Sequence, residues 1–183
     1  MAQSLPNLLT AARIVAIPLI VGLLFLDGGV ARWAAFVIFV GAAVTDYFDG
    51  LAARRLKVVT PLGRFLDPIA DKLLVAAVIV ALVAVGKLGG WLVAAAILML
   101  CRELLVSGLR EYLAELGVPL PVSRLAKWKT TLQLIALGGL IVALPGSFLF
   151  WLAEAGFWVA TALTLITGWD YLRVGLREMV ARS

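Results

Sequence analysis

Apolar residues fill long stretches of the 183-residue chain, and short segments rich in Gly, Pro, Lys and Arg separate them. The longest apolar stretches are residues 14–26, 73–86, 91–101, 134–153 and 155–169. A helix that crosses a bilayer needs roughly 20 mainly apolar residues. With their flanks, the stretches predict transmembrane helices near residues 7–26, 31–55, 67–85, 91–113, 128–145 and 149–174. The predicted fold is therefore all-α, a polytopic bundle of six transmembrane helices preceded by a short N-terminal amphipathic segment.

The composition supports a membrane protein. Hydrophobic residues make up 63% of the chain and charged residues only 15%, whereas a soluble domain has about 45–50% and about 25%. The length fits one domain, so residues 1–183 are expected to form a single integral membrane unit.

The lone cysteine, Cys101, is expected to be buried and excludes an intrachain disulfide. The absence of histidine excludes an imidazole base, a histidine metal ligand and a Ser-His-Asp triad.

The basic residues predict the orientation. Of the 16 Lys and Arg residues, all but Arg32 and Lys87 lie at or towards the same ends of the predicted helices. Cytoplasmic ends carry the excess of Lys and Arg, so both termini are expected in the cytoplasm. The net charge of +5 is then expected to face anionic lipid headgroups rather than nucleic acid.

Residues 46–71 place four aspartates in an otherwise apolar chain. Asp46 and Asp49 are three positions apart and so share one helix face. Asp67, followed by Pro68, is expected to cap the next helix, with Asp71 one turn later. Because a short connection joins the two helices, they are predicted to pack antiparallel and to bring the four carboxylates together. Like charges so close in a dehydrated site need neutralisation.

The charge of the four carboxylates could be neutralised in two ways. The nearby basic residues Arg54, Arg55, Lys57 and Arg64 could form a structural salt-bridge cluster with the aspartates. Alternatively, two divalent cations could bind, and oxygen-only ligands favour Mg²⁺, with Mn²⁺ or Ca²⁺ as substitutes. Two such cations would clamp a phosphate diester or a pyrophosphate. Small residues beside the charges, such as Gly50 and Gly63, either make room for a ligand or allow close helix packing.

The aspartate segment resembles a family signature. Asp46-Tyr-Phe-Asp49-Gly50-Leu-Ala-Ala53-Arg54 is followed after eight residues by Gly63 and then by Asp67 and Asp71. This pattern resembles the signature of the CDP-alcohol phosphatidyltransferases at every fixed position and in both spacings. The resemblance covers nearly the whole chain and implies that an alcohol hydroxyl attacks the lipid-side phosphorus of a CDP-linked lipid and releases CMP.

The resemblance also implies roles for individual residues. Asp46, Asp49 and Asp67 would hold two divalent cations, with Asp71 contributing to the metal site and serving as candidate general base. Gly50, Ala53, Arg54 and Gly63 would line the CDP pocket. The opening stretch from Pro6 to Arg13 also resembles that of the family, which implies that Asn7 and Thr10 approach the nucleotide.

A set of basic residues bears on the acceptor. Arg102 and Arg110 are eight positions apart on one predicted helix face, and Arg124, Lys127 and Lys129 begin the next helix. Such a basic wall suits an acceptor that carries a phosphate and does not suit choline, which needs an aromatic or acidic cage. Residues 102–111 and 127–131 resemble the corresponding segments of bacterial phosphatidylglycerophosphate synthases, whose acceptor is sn-glycerol 3-phosphate. The alternative is that these cations grip lipid headgroups.

The prediction is therefore a phosphatidyltransferase that uses CDP-diacylglycerol, sn-glycerol 3-phosphate and divalent cations in the bacterial inner membrane, with its active site on the cytoplasmic side. Within the family, inositol phosphate or phosphatidylglycerol is the alternative acceptor. A divalent-cation transporter is the alternative from another class. Membrane lipids and, by resemblance, a second copy of the chain in a homodimer are the expected partners.

Overall fold

Six helices make up the computed structural model, which describes the backbone of residues 4–56, 61–118 and 123–180; within these ranges there is no strand. Side chains are described for residues 10–45, 66, 69–118, 123 and 125–179. The helices are α1 (Ser4–Leu24), α2 (Gly29–Leu56), α3 (Pro61–Ala84), α4 (Trp91–Glu115), α5 (Arg124–Val142) and α6 (Phe148–Val180). The all-α prediction and the number of helices are confirmed over these ranges.

The starts of α3 and α5 differ most from the prediction. Helix α3 begins at Pro61, so Asp67 lies inside the helix, and the predicted cap at Asp67 is wrong. Pro61 suits a first helical position because the backbone N–H that proline lacks has no partner there. Helix α5 begins at Arg124, earlier than predicted, because the Ser123 hydroxyl accepts a hydrogen bond of 3.1 Å from the Ala126 backbone N–H.

Apolar side chains from all six helices form the main core, and α4 and α6 share a second, smaller cluster. Helix α1 packs against both α2 and α3, while α6 packs against both α4 and α5. The fully buried side chains include Ile20, Phe39, Leu82, Met99, Leu137 and Phe157. A Cβ on Gly139 would lie 2.8 Å from the Cβ of Ala153, so α5 and α6 approach too closely for a side chain there. Small residues at such crossings are typical of helix pairs in membranes.

The outer surface of the bundle is apolar. Large side chains such as Val30, Trp91 and Phe148 are more than 80% exposed, at 87%, 81% and 84%. Soluble monomers rarely expose such continuous apolar surface. By length and composition, Trp91–Glu115 and Phe148–Met179 can each cross a membrane, and Thr10–Leu24 and Gly29–Thr45 are shorter apolar helices. That all six helices span the membrane stays a prediction.

Cys101 is exposed on α4, so the expectation that it is buried is wrong.

At one end of the bundle, the connection between α3 and α4 holds the end of α5. The Lys87 ammonium donates hydrogen bonds to the carbonyl oxygens of Leu140, Ile141 and Ala143, two of them at 3.0 Å. The last carbonyls of a helix have no partner within the helix. Lys87 therefore binds carbonyls at the C-terminus of α5.

Candidate functional site

A buried arginine meets an aspartate of the motif at the other end of the bundle. Arg13 Nη1, on α1, donates to Asp71 Oδ1, on α3, over 2.8 Å. The Arg13 side chain is 2% exposed and the Asp71 side chain is 48% exposed. The ion pair thus fixes the carboxylate from the protein interior while leaving it open to the solvent side.

Two neighbouring cavities open beside this ion pair. The first, of about 390 Å³, is lined by Asp71, Lys72, Glu103, Arg110, Lys129, Thr130 and Gln133 together with apolar residues of α3 and α4. The second, of about 340 Å³, shares these polar residues except Asp71 and Gln133 and adds Arg102, Ser107, Glu111 and Tyr171. The shared wall carries three cations and one carboxylate, which suits an anionic ligand.

The predicted acceptor residues divide between the cavities and their surroundings. Lys129 lines both cavities, is buried, and forms an ion pair with Glu103. Arg110 lines both cavities, and its guanidinium lies 5.4 Å from the centre of the Tyr171 ring. Lys127 is exposed and lines neither cavity. The side chain of Arg124 lies outside the described residues.

Arg102 is engaged mainly with α6. Its Nε donates to the Thr164 carbonyl over 3.1 Å, and its Nη2 donates to the Thr167 hydroxyl over 2.9 Å. Its guanidinium also lies 3.3 Å from Glu103 and 5.8 Å from the centre of the Tyr171 ring. Arg102 lines the second cavity, and two of its hydrogen bonds tie α4 to α6.

Most of the aspartate motif can be placed only by its backbone. Asp46, Asp49, Gly50, Ala53 and Arg54 belong to the last turns of α2, and Gly63 and Asp67 belong to the first turns of α3. Their side chains, like that of Asn7 on α1, lie outside the described residues. Thr10, the other predicted nucleotide residue, is buried on α1, one helical turn before Arg13.

The sequence comparisons identify the family. The sequence model of the CDP-alcohol phosphatidyltransferase family matches residues 3–166. The chain belongs to this family. The resemblance drawn from the aspartate motif is therefore confirmed.

Relatives from several bacteria are similar over nearly their full length. A Rickettsia bellii protein is 45% identical over 174 residues, covering 93% of this chain and 94% of the relative. A Bacillus subtilis protein is 40% identical, covering 92% and 93%. A Cereibacter sphaeroides protein is 37% identical, covering 96% and 97%. Each of the three is named CDP-diacylglycerol–glycerol-3-phosphate 3-phosphatidyltransferase.

The donor chemistry of this family member fits a hard divalent cation. Asp71 offers carboxylate oxygen at the wall of the first cavity, and the chain contains no histidine that would favour a softer metal. Among the residues whose side chains are described, no three acidic, histidine or cysteine side chains form a metal-binding group. Only Asp71 of the four aspartates falls within that set. A two-metal site therefore stays a prediction for Asp46, Asp49, Asp67 and Asp71.

Sequence reasoning assigned no role to several polar residues of this site. Lys72 and Ser107 line the second cavity and are hydrogen bonded to each other, and Glu103 and Tyr171 hold Lys129 and Arg110. Lys72 could have been found, because it directly follows Asp71 at the start of an apolar stretch, where a charge is costly. Tyr171 carries no such signal, since an aromatic residue in an apolar helix is ordinary.

Proposed function

We propose that the chain transfers the phosphatidyl group of CDP-diacylglycerol to sn-glycerol 3-phosphate and so makes phosphatidylglycerol phosphate and CMP. The observation that carries this proposal is the match, over more than nine-tenths of the chain, to relatives named for that reaction. The first cavity supports it, because Asp71 lies there together with Arg110 and Lys129. A carboxylate can accept the proton of an alcohol hydroxyl, and two cations can bind the phosphate of the same alcohol.

The reaction exchanges one phosphorus–oxygen bond for another. The 1-hydroxyl oxygen of glycerol 3-phosphate bonds to the phosphorus that carries diacylglycerol. The bond from that phosphorus to the bridging oxygen of the pyrophosphate breaks, and CMP leaves with the bonding electrons. The hydroxyl proton must pass to a base.

Residues of this chain account for the acceptor half of the reaction. Arg110 and Lys129 bind the acceptor phosphate by charge-assisted hydrogen bonds. Asp71, with one oxygen on Arg13, takes the hydroxyl proton and holds the hydroxyl towards the lipid. Arg102 supports this wall through α6, and Arg124 and Lys127 extend the positive charge at the start of α5. Removal of a proton by a positioned side chain contributes about 10²- to 10⁴-fold to a rate.

The residues proposed to bind the CDP part of the donor come mainly from the aspartate motif. Gly50, Ala53, Arg54 and Gly63, with Asn7 and Thr10, form the CDP pocket. Asp46, Asp49, Asp67 and Asp71 would hold two divalent cations, Mg²⁺ or Mn²⁺. Such cations stabilise charge on a pyrophosphate and make CMP a better leaving group.

The setting of the enzyme is part of the proposal. The membrane-bound family and the apolar surface support an inner-membrane protein with six spans. The cavities lie at the bundle end where α4 ends and α5 begins, and this is the end rich in Lys and Arg. We place it at the cytoplasmic face, with both termini. A homodimer is proposed from the resemblance to the family.

An acceptor panel tests the function. Purified protein with CDP-diacylglycerol and Mg²⁺ would be offered glycerol 3-phosphate, inositol phosphate, phosphatidylglycerol, serine and choline, and CMP release would be measured. Release with glycerol 3-phosphate alone is expected. Preference for inositol phosphate or phosphatidylglycerol would keep the transfer chemistry and reject the assigned acceptor. Folded protein that releases no CMP but carries divalent cations into proteoliposomes would favour the transporter.

A further inference from the structure

Lys72 and Ser107 form a polar pair at the wall between the two cavities. The Lys72 ammonium, on α3, donates a hydrogen bond to the Ser107 hydroxyl, on α4. Lys72 lines both cavities and Ser107 lines the second. Neither residue belongs to the aspartate motif, and the roles assigned above to Asp71, Arg110 and Lys129 leave this pair without a function.

The pair offers hydrogen-bond donors to the cavities. An ammonium has three N–H donors and no acceptor, and one N–H group of Lys72 is directed at Ser107. Because the Ser107 oxygen accepts from Lys72, its own O–H can donate elsewhere. A ligand group at this point must therefore present an oxygen lone pair, as a hydroxyl or a phosphate does.

The position of the Lys72–Ser107 pair indicates whether it binds a hydroxyl or a phosphate of the acceptor. Lys72 directly follows Asp71, which faces the reacting hydroxyl in the proposed mechanism. Ser107 lies three residues before Arg110, on the same face of α4, and Arg110 binds the acceptor phosphate. The pair thus connects, across α3 and α4, a neighbour of the residue assigned to the reacting hydroxyl with a neighbour of the residue assigned to the phosphate. In glycerol 3-phosphate the group between the reacting hydroxyl and the phosphate is the 2-hydroxyl.

We infer that Lys72 and Ser107 bind the 2-hydroxyl of the acceptor and so select glycerol 3-phosphate over phosphorylated alcohols that lack it. This inference rests on the proposed function. When the 2-hydroxyl is missing, the donors of the pair lose an acceptor that they have in the complex with glycerol 3-phosphate. Losing a hydrogen bond to a charged group reduces kcat/KM by about 10- to 100-fold.

The test compares glycerol 3-phosphate with 3-hydroxypropyl phosphate, which keeps the phosphate and the primary hydroxyl and lacks the 2-hydroxyl. We expect the wild type to prefer glycerol 3-phosphate by about 10- to 100-fold in kcat/KM. In Lys72→Met, kcat/KM should fall further for glycerol 3-phosphate than for 3-hydroxypropyl phosphate, so that most of the preference is lost. Ser107→Ala should lose part of the preference in the same way.

Arg177→Met is the matched control, because it removes an exposed cation in the last turn of α6, outside both cavities. It should leave kcat/KM for both acceptors unchanged. An equal fall for both acceptors in Lys72→Met would overturn the inference, since a phosphate contact or a structural role acts on both. Equal use of the two acceptors by the wild type would overturn it too.

The failure of the inference can be told from the failure of the proposed function. Wild-type protein that releases CMP with glycerol 3-phosphate, but whose Lys72→Met variant keeps the wild-type preference, overturns only the inference. Wild-type protein that releases no CMP with glycerol 3-phosphate overturns the function itself. If Lys72→Met does not fold, Ser107→Ala decides: an unchanged preference would reject the pair.

Discussion

At the scale of single residues, Asp71 has a structural contact and a proposed chemical role. Its carboxylate accepts from Arg13, which lies 58 positions earlier in the chain. Arg13 is nearly inaccessible to solvent, whereas about half of the Asp71 side chain is accessible. The contact of Asp71 with Arg13 and its proposed role as the base can therefore be tested separately, with different substitutions at Asp71.

We predict that Asp71→Asn folds and loses activity. The asparagine side-chain oxygen can still accept from Arg13, but an amide is not a base, so CMP release should fall by about 100-fold or more. CMP release and the melting temperature in detergent check this prediction.

Asp71→Ala is the companion variant. It removes the hydrogen-bond acceptor and leaves the buried Arg13 guanidinium with one partner fewer, so it should melt at a lower temperature than Asp71→Asn. Near-normal activity of Asp71→Asn would exclude Asp71 as the base.

Lys127 and Lys129 were both predicted to bind the acceptor phosphate, and the structure gives them different surroundings. Lys129 is buried in the wall of both cavities, while Lys127 is exposed outside them. We predict that Lys129→Met raises the KM for glycerol 3-phosphate by about 10- to 100-fold, the effect of losing a charge-assisted hydrogen bond. Lys127→Met should raise it less. Initial rates against acceptor concentration check the order, and a larger effect at Lys127 would reverse the assignment.

At the scale of the helices, α6 supports the cation wall by packing closely on α4. A Cβ on Gly168 would lie 2.7 Å from Arg102 Cγ and 3.2 Å from its Nε. The absent side chain is what lets Arg102 reach Thr164 and Thr167 on the same helix. The glycine therefore positions a cation of the neighbouring helix.

We predict that Gly168→Ala lowers the melting temperature and the activity. Alanine favours a helix over glycine by about 1 kcal/mol, but the added methyl group must displace Arg102 from its partners on α6. Gly156→Ala is the matched control on the same helix, because its methyl group would meet Ala136 at an ordinary 3.5 Å. Melting temperature and CMP release should distinguish the two variants, and equal behaviour would contradict the packing argument.

The connection between α3 and α4 makes the stability of the protein depend on pH, through Lys87. Partial burial, and to a lesser degree the charge of Arg32, lowers the pKa of Lys87 from 10.5 to about 8. Between these values the unfolded chain binds more protons than the folded protein. For this group alone, the free energy of unfolding therefore rises as the pH increases from about 8 to 10.5.

The pH dependence of thermal unfolding should reveal this group. We predict that the wild type gains stability relative to Lys87→Met as the pH rises through the window from about 8 to 10.5. Below that window both states of the wild type are protonated at Lys87, so the difference between the two proteins should stay constant. Parallel curves for wild type and Lys87→Met within the window would show that the pKa of Lys87 is not lowered.

At the scale of the whole molecule, polar contacts gather at one end of the bundle. That end holds the Arg13–Asp71 pair, the two cavities and the start of α5, and the Lys87 connection lies at the other. In a membrane, this asymmetry would place the proposed reaction at one of the two faces.

We predict that the cavities face the cytoplasm. In a Cys101→Ala background, cysteines replacing the exposed residues Asp27 and Glu115 would mark the two ends of the bundle. A membrane-impermeant maleimide added to intact spheroplasts should label Asp27→Cys, and should label Glu115→Cys only after the membrane is opened. The reverse pattern would invert the orientation.

The sequence by itself determined the helical class and the approximate helix positions, because long apolar stretches have few other stable solutions. It also determined the family, because the aspartates and glycines from Asp46 to Asp71 are a local pattern with fixed spacing. Helix starts were harder, as at Pro61, because two prolines were equally suited to a first helical position.

Only the tertiary structure decided which residues meet. Arg13 with Asp71, Lys72 with Ser107 and Glu103 with Lys129 are pairs from different helices. Their contact depends on how the helices cross and rotate, which small residues such as Gly139 and Gly168 set through close packing. No local pattern encodes that geometry, so the sequence identified the family, and only the fold brought together the residues of the proposed acceptor cavity.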